Sequence, residues 1–541
     1  MVAHHRTLGF VAVLTLLALA CQPGAANRPG GAPAPAAPAG PSSGAAASSP
    51  SGQTSAAPPA ASGGPTRVVI GVTETIESQN PYADSISLGY GIWCEVLGCL
   101  VSFDPKTHEY KPSLAESWRV ENPTTWVFQL RKDAKWHDGS PFTAADVVHS
   151  FWRIANDPTS KQKHNVSPVA GVEALDDYTV RVTTKEPTAS LLSFFADLLI
   201  ITSKAQYDQY GPEGINNVAP IGTGPYMFKE LVPNQRFVIT KTPNWWGGEN
   251  PGPDEVVYRI IREPEVRITA LLNGEIQIAQ FVPPHMVDRV NSAPNTKIVA
   301  TDSVELMFLA MSPKFKPWDN KLVRQAVAYA IDRDAIIQGV LMGQARRLDG
   351  PIGPATYGYD PNLQPRYTYD PERARQLLRE AGYPNGVDVD FYTPVGRYVQ
   401  DKQSAEAMAA MLNAVGIRAR LQTPEWPTLW ADVQNGKVPF YYMGRGSVLD
   451  PGPPLSQYFE TGVTPRIGWS DPRFDALMAK ERAAFDPAER KKALSEAMSY
   501  LTEQAPAHFL WTINMLWGMA RNIDYDPRPD LRIFARDIRV R

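Results

Sequence analysis

An α/β protein of two or three domains is what this sequence predicts. Three observations carry it: alternating runs rich in β-branched residues, apolar residues at helical spacing between those runs, and a body too long for a single core. The first strand is Arg67–Val72, bounded by a polar loop and Pro81. Ile86, Tyr90, Trp93 and Leu97 then recur at the spacing of a buried helix face. Residues 111–118 lead into an alternating strand at 126–131 and a turn at His137-Asp138-Gly139-Ser140-Pro141. Thr143 can cap a helix opened by Ala144, whose apolar face is Val147, Val148, Phe151 and Ile154. Gly222 to Pro225 reads as a backbone crossing where a missing side chain permits close approach. Ala381-Gly382-Tyr383-Pro384-Asn385-Gly386 reads as a helix stop followed by a turn, and residues 400–415 as a further helix.

The beginning of the chain has a different character. His4, His5 and Arg6 precede an apolar run over 8–20 that stops at Cys21, too short for a membrane span and suited to an export signal. Leu17-Ala18-Leu19-Ala20-Cys21 looks like a bacterial lipobox, with Ala18 where Leu is usual. Cys21 is the expected lipidation site, and cleavage elsewhere in the small-residue run is the alternative. Residues 22–65 are almost entirely Ala, Pro, Gly and Ser with Arg28 as their single charge, so they have nothing to offset the entropy of folding. As a flexible tether they would span about 35–40 Å. Residues 1–20 are thus assigned to a signal peptide and 21–65 to a lipidated cysteine and disordered tether.

With 53 basic and 56 acidic residues and no basic run, the chain lacks the electrostatic footprint of a nucleic-acid binder, and the lipid is the only membrane attachment expected. Besides Cys21 only Cys94 and Cys99 are present, a pair that export permits to form a disulfide. Five residues apart on one helix they would be out of reach, so bridging requires the helix to end near Gly98.

Catalytic motifs are missing from the body after residue 65: no GxSxG, HExxH or P-loop, and no GxGxxG after the first strand. His137-Asp138 reads as a structural turn. Two carboxylates far apart in sequence, such as Asp390 and Asp450, keep a cleft-bearing exported glycosidase open as the alternative, beside a ligand-sensing module without transport. The expectation is no enzyme, no catalytic residue, no cofactor and no bare metal site, since no His/Cys cluster has ligand spacing.

One long stretch carries a resemblance. Pro112-Ser113-Leu114-Ala115-Glu116-Ser117-Trp118, Trp126-Val127-Phe128-Gln129-Leu130-Arg131 and Trp136-His137-Asp138-Gly139-Ser140-Pro141-Phe142-Thr143-Ala144-Ala145-Asp146-Val147 resemble the signature of the family 5 extracellular solute-binding proteins, the peptide/nickel/opine group. Gly222-Thr223-Gly224-Pro225-Tyr226, Asn244-Trp245-Trp246-Gly247-Gly248, Val323-Arg324-Gln325-Ala326 with Ala330-Ile331-Asp332-Arg333, and Tyr369-Asp370-Pro371 follow in the family's order. The resemblance implies a three-domain periplasmic-binding-protein fold, type II-like (cluster C), with a ligand cleft between two lobes. Domain I would comprise 66–110, 220–305 and 505–541, domain II 111–219, and domain III 306–504. It also implies a periplasmic or cell-surface monomer that hands a small-molecule or peptide ligand to ABC permease and ATPase subunits. Nickel as a chelate, and haem, stay within the family's range. Arg324 and Arg333 are expected to be solvated or ion-paired rather than in contact with ligand.

Two stretches are similar to the family's ligand contacts. Thr393-Pro394-Val395-Gly396-Arg397-Tyr398 resembles the segment where dipeptide-binding relatives set an arginine against the ligand carboxylate, which a guanidinium grips through two parallel hydrogen bonds. A surface arginine before the 400–415 helix is the alternative for Arg397. Tyr441-Tyr442-Met443-Gly444-Arg445-Gly446-Ser447-Val448-Leu449-Asp450-Pro451 resembles the stretch ending in Asp-Pro, where peptide binders carry an aspartate three places earlier for the peptide ammonium. Ser447 holds that place, and a hydroxyl does not neutralise a buried ammonium. Arg445 instead adds positive charge, which favours an anionic or polyhydroxy ligand if it faces the cleft and not Asp450. Trp426, Trp430, Tyr441 and Tyr442 offer stacking faces or belong to the core.

Overall fold

The computed structural model describes residues 65–541 apart from 77, 85, 447 and 448. The signal segment, Cys21, the tether to residue 64, and Ser447 therefore lie outside the described residues.

Two long strands dominate, Thr296–Met311 and Ala507–Ala520, antiparallel at the centre of an 11-stranded mixed sheet. A strand of 16 residues reaches roughly 50 Å, enough to run through both halves of the body. On one side follow Phe440–Arg445, Val387–Tyr392 and Ile417–Gln422, and on the other Ile278–Ala279, Arg67–Val72, Glu255–Ile260, Arg236–Lys241 and Tyr226–Val232. A separate antiparallel sheet of four strands, Ala115–Asn122, Thr125–Leu130, Thr179–Thr184 and Val169–Asp176, lies within the segment 111–219.

Both faces of the central strands are covered, so their side chains alternate between two cores. Met307, Leu309 and Met311 pack with Phe391, Phe440 and Tyr442, whereas Leu306, Phe308 and Ala310 pack with Leu429, Tyr441 and Trp469. Truncating a fully enclosed ring such as Phe308 to alanine would cost about 3–5 kcal/mol through lost burial and the cavity left behind.

The expected strand Arg67–Val72 has those bounds, and the following helix is Ser87–Leu97. Gly98, at φ 92°, ends that helix and turns the chain so that Cys94 and Cys99 approach to 5.2 Å between Cα atoms and are bridged. The crossing at Gly222 to Pro225 lies across the same helix end. Gly224 N–H donates to Val96 O at 3.0 Å and Thr223 N–H to Leu97 O at 3.1 Å, and a Cβ on Gly222 would overlap the Val96 carbonyl. The helix Ala144–Asn156 starts as expected, with the Asp146 carboxylate accepting from Thr143 N–H at 3.0 Å.

Arg324 corrects an expectation, whereas Arg333 keeps the ion pair expected of it, to Asp349 at 3.5 Å. Neither is solvated: both are about 4% exposed, and their guanidiniums serve backbone carbonyls. Arg324 donates to Trp318 O at 2.7 Å and Gln504 O at 2.8 Å, and Arg333 to Phe509 O at 3.1 Å. Five N–H donors on a planar head allow one side chain to satisfy several loop carbonyls at once, a role spacing does not reveal.

Candidate functional site

The strand Arg67–Val72 lies between Ile278–Ala279 and Glu255–Ile260 and is parallel to both. In open α/β sheets ligands collect in the crevice beyond such carboxyl ends. Here Thr73 and Glu74 leave that end and enter a cavity of about 790 Å3, which Glu305, Arg397, Tyr398 and Asn514 also line. That volume suits a small ligand enclosed on several sides. A second chamber of about 210 Å3 shares Ser87 with the first and contains Arg445, Asp450, Arg532, His164 and Asn165.

Arg397 stands at the cavity on a loop the sequence builds carefully. The buried Asp401 carboxylate accepts from Gly396 N–H at 3.0 Å, Arg397 N–H at 2.8 Å and Tyr398 N–H at 3.0 Å. Tyr398 ties the loop to the neighbouring strand by donating its hydroxyl to Gly444 O at 3.0 Å, and a Cβ on Gly444 would press on the Tyr398 ring at 2.6 Å. The Arg397 guanidinium rests 5.0 Å from the Tyr398 ring and 5.4 Å from that of Trp426. It is exposed, yet the cavity is what it is exposed to. Asp401 was not singled out in the sequence, although an acid opening a helix after a glycine turn is a capping signal.

Asp450 does not pair with Arg445. Its carboxylate accepts two hydrogen bonds at 2.7 Å from Arg490, which also bonds Glu481 at 2.8 Å. Tyr110 donates to the same carboxylate at 3.4 Å. Asp450 is thus a buried structural acid at the edge of the second chamber. Arg445 is left against the Tyr458 ring at 4.8 Å, with one long hydrogen bond of 3.4 Å to Gln457. Among the described residues no carboxylate lies within 4.0 Å of its nitrogens. Burial lowers its guanidinium to about 10, Tyr458 opposing and Arg466 reinforcing that shift.

The aromatic residues divide. Trp426 and Trp430, four apart on the helix Trp426–Gln434, stack at 5.6 Å and 16° and stay half-buried. Arg466 caps that stack 4.9 Å from Trp430, and lies equally close to Tyr458, opposite Arg445. Tyr441 and Tyr442 are fully enclosed on opposite faces of a central strand. The assignment of Tyr442 to the ligand is corrected accordingly: with no exposed face it has nothing to stack on a solute.

The residues weighed for catalysis lie apart. His137 accepts from Gly222 N–H at 3.2 Å through Nδ1 and meets Gly224 O at 3.0 Å through Nε2, and burial holds its imidazole below the usual range. Asp138 turns away to accept from Ser140 N–H at 2.9 Å, so the pair holds a turn. Asp390 pairs with Arg420 at 3.2 Å on a strand near the sheet edge, while Asp450 is held by Arg490. Among the described residues no group of His, Cys, Asp and Glu is placed to hold a metal ion, and no helix is long and apolar enough to cross a membrane.

Known proteins are similar to this chain. The chain is 30% identical over 447 residues to Heme-binding protein A of Haemophilus influenzae, covering 76% of this chain and 80% of that one. It is 31% identical over 443 residues to the Dipeptide-binding protein of Escherichia coli, covering 75% and 82%. Among solved structures, HbpA2 from Haemophilus parasuis superposes with a TM-score of 0.79 at 25% identity, over 88% of this chain and 100% of that one. AgaA from Agrobacterium, solved with agropinic acid, superposes with a TM-score of 0.70 at 25% identity, over 88% and 99%. The fold is the α/β periplasmic-binding-protein fold of these relatives, which are binding proteins. Residues 109–466 match the model of the bacterial extracellular solute-binding proteins, family 5, and the chain belongs to that family.

Proposed function

We propose that this protein is the exported, Cys21-anchored receptor of an ABC importer, which captures a small polar solute between its two halves and delivers it to membrane permease and ATPase subunits. The observation that carries this reading is the 790 Å3 cavity with Arg397 held at its wall by three backbone hydrogen bonds to Asp401. The loop is fixed in this way and the guanidinium rests on the Tyr398 and Trp426 rings, which favours an anionic group by limiting the freedom lost on binding. Arg445 supplies a second cation at the adjoining chamber, and Trp426 and Trp430 are the rings on which Arg397 and Arg466 lie. The ligand class is therefore an oligopeptide-like or other small polar, anionic solute. Capture rather than turnover is the role. The protein works as a monomer, divided into domain I (66–110, 220–305, 505–541), domain II (111–219) and domain III (306–504).

Native mass spectrometry of protein purified without denaturation tests this reading. A small solute should travel with the folded protein, be released intact on unfolding, and be largely missing from Arg397→Ala. Chemical conversion of that solute by the protein, or equal retention by the variant, would overturn it.

A further inference from the structure

Glu305 is the unexplained group of the large cavity. It lies where the strand Thr296–Met311 leaves its partner: Asp302 pairs with Asn514 and Leu306 with Thr512, so the first strand bulges over 303–305. Val304 N–H there donates to Pro529 O at 3.2 Å instead of to the adjacent strand. Such a bulge re-aims side chains, and Glu305 is turned into the cavity. Its carboxylate accepts no hydrogen bond from the described residues, and no cation lies within 4.0 Å of it. Arg397 is close enough to favour the charged form, but burial outweighs it and pushes the carboxyl up. A Cβ on Gly446 would stand 3.9 Å from Glu305 Oε1. The lining carries a second acid, Glu74, raised by burial and by Asp84 and steadied by Leu88 N–H at the start of the helix Ser87–Leu97. Two half-buried carboxylates thus share one cavity with one guanidinium and the His285 ring, and Glu305 has no cation of this chain within ion-pair distance among the described residues, a place a ligand cation would fill.

We infer that the solute carries a protonated amine and that Glu305 receives it, with Glu74 as the second acid of the lining and Arg397 holding an anionic group in the same cavity. This rests on the proposed capture role and names the ligand class: a dipolar, amine-bearing acid. It revises what Ser447 suggests alone, because the negative partner comes from a different strand. A carboxylate in a closed site gains far more from an ammonium than one in water does, since the medium screens it less. If Glu305 merely balanced Arg397, neutralising it would strengthen the hold on anions and leave amines undistinguished.

The test uses two probes, an equimolar mixture of di- and tripeptides and the same mixture N-acetylated, titrated calorimetrically into the ligand-stripped protein. The expected result is binding of the free-amine mixture at least tenfold tighter than the acetylated one, loss of that difference in Glu305→Gln, and its partial return in Glu305→Asp. Urea unfolding of the isosteric Glu305→Gln keeps a folding defect distinguishable. Equal binding of both mixtures, binding of neither, or a preference that survives Glu305→Gln would overturn the inference. A natively retained solute without a basic nitrogen, lost in Arg397→Ala, would overturn it while leaving the capture role standing. No retained solute of any kind would overturn both.

Discussion

Arg490 and Arg445 each lay a guanidinium over a tyrosine, Tyr357 at 5.1 Å and Tyr458 at 4.8 Å. Their electrostatic positions are opposite. Arg490 has two carboxylates of its own, Asp450 and Glu481. Burial alone would lower it, but Asp450 outweighs burial and holds it well above the usual arginine range. Arg445 has no carboxylate within reach among the described residues, and burial lowers it. A buried cation with its counter-ions inside the chain is part of the fold, whereas one that has neither counter-ions nor backbone carbonyls gathered around it is left to take an anion from outside. The same contrast separates the network of Arg528, Asp530 and Asp197, joined at 2.8 and 3.0 Å, from Arg397 at the cavity.

The largest effect separating the two classes should come from Arg490→Met. It strands two buried acids, and the expected loss in a urea titration is about 3–5 kcal/mol of stability. Arg445→Met removes a desolvated cation that has no carboxylate partner among the described residues, so stability should stay within about 1 kcal/mol of the parent while solute retention falls. Equal destabilisation by both variants would erase the distinction.

A smaller effect is the sign of the pH dependence. Asp530 is held below the ordinary aspartate range: burial would raise it, but Arg528 and Arg532 outweigh burial. Its contribution is present above the unfolded value and is lost as pH falls through the folded one. Glu74 and Glu305 are shifted upward, mainly by burial, so their contribution is present below the unfolded glutamate value and is lost as pH rises through the folded one. In ligand-free protein, the double variant Glu74→Gln, Glu305→Gln should show less loss of urea midpoint between pH 4.5 and 7 than the parent, with the acid limb unchanged.

What was legible in the sequence follows from the range of the interactions. The strand at Arg67–Val72, the cap at Thr143, the crossing at Gly222 to Pro225 and the helix end at Gly98 depend on near neighbours or on one backbone requirement, and residue type declares them. The partner of an arginine does not. Asp450 and Arg490 are forty residues apart, and the proximity of Asp450 to Arg445 in sequence suggested the wrong pair. Tyr442 misled for a related reason: an aromatic strand covered on both faces has the same composition as one that lines a cleft. Glu305 was invisible because a bulge, not a motif, turns it inward.

The central claim is that Arg397 holds the anionic group of a captured solute. It is tested most directly by extracting the solute that co-purifies and titrating it back, by calorimetry, into stripped protein and stripped Arg397→Ala. Removing one partner of a desolvated charge pair costs about 2–5 kcal/mol, so one-to-one binding should weaken by roughly 30-fold or more. Titrations of the two proteins that superimpose would contradict the account.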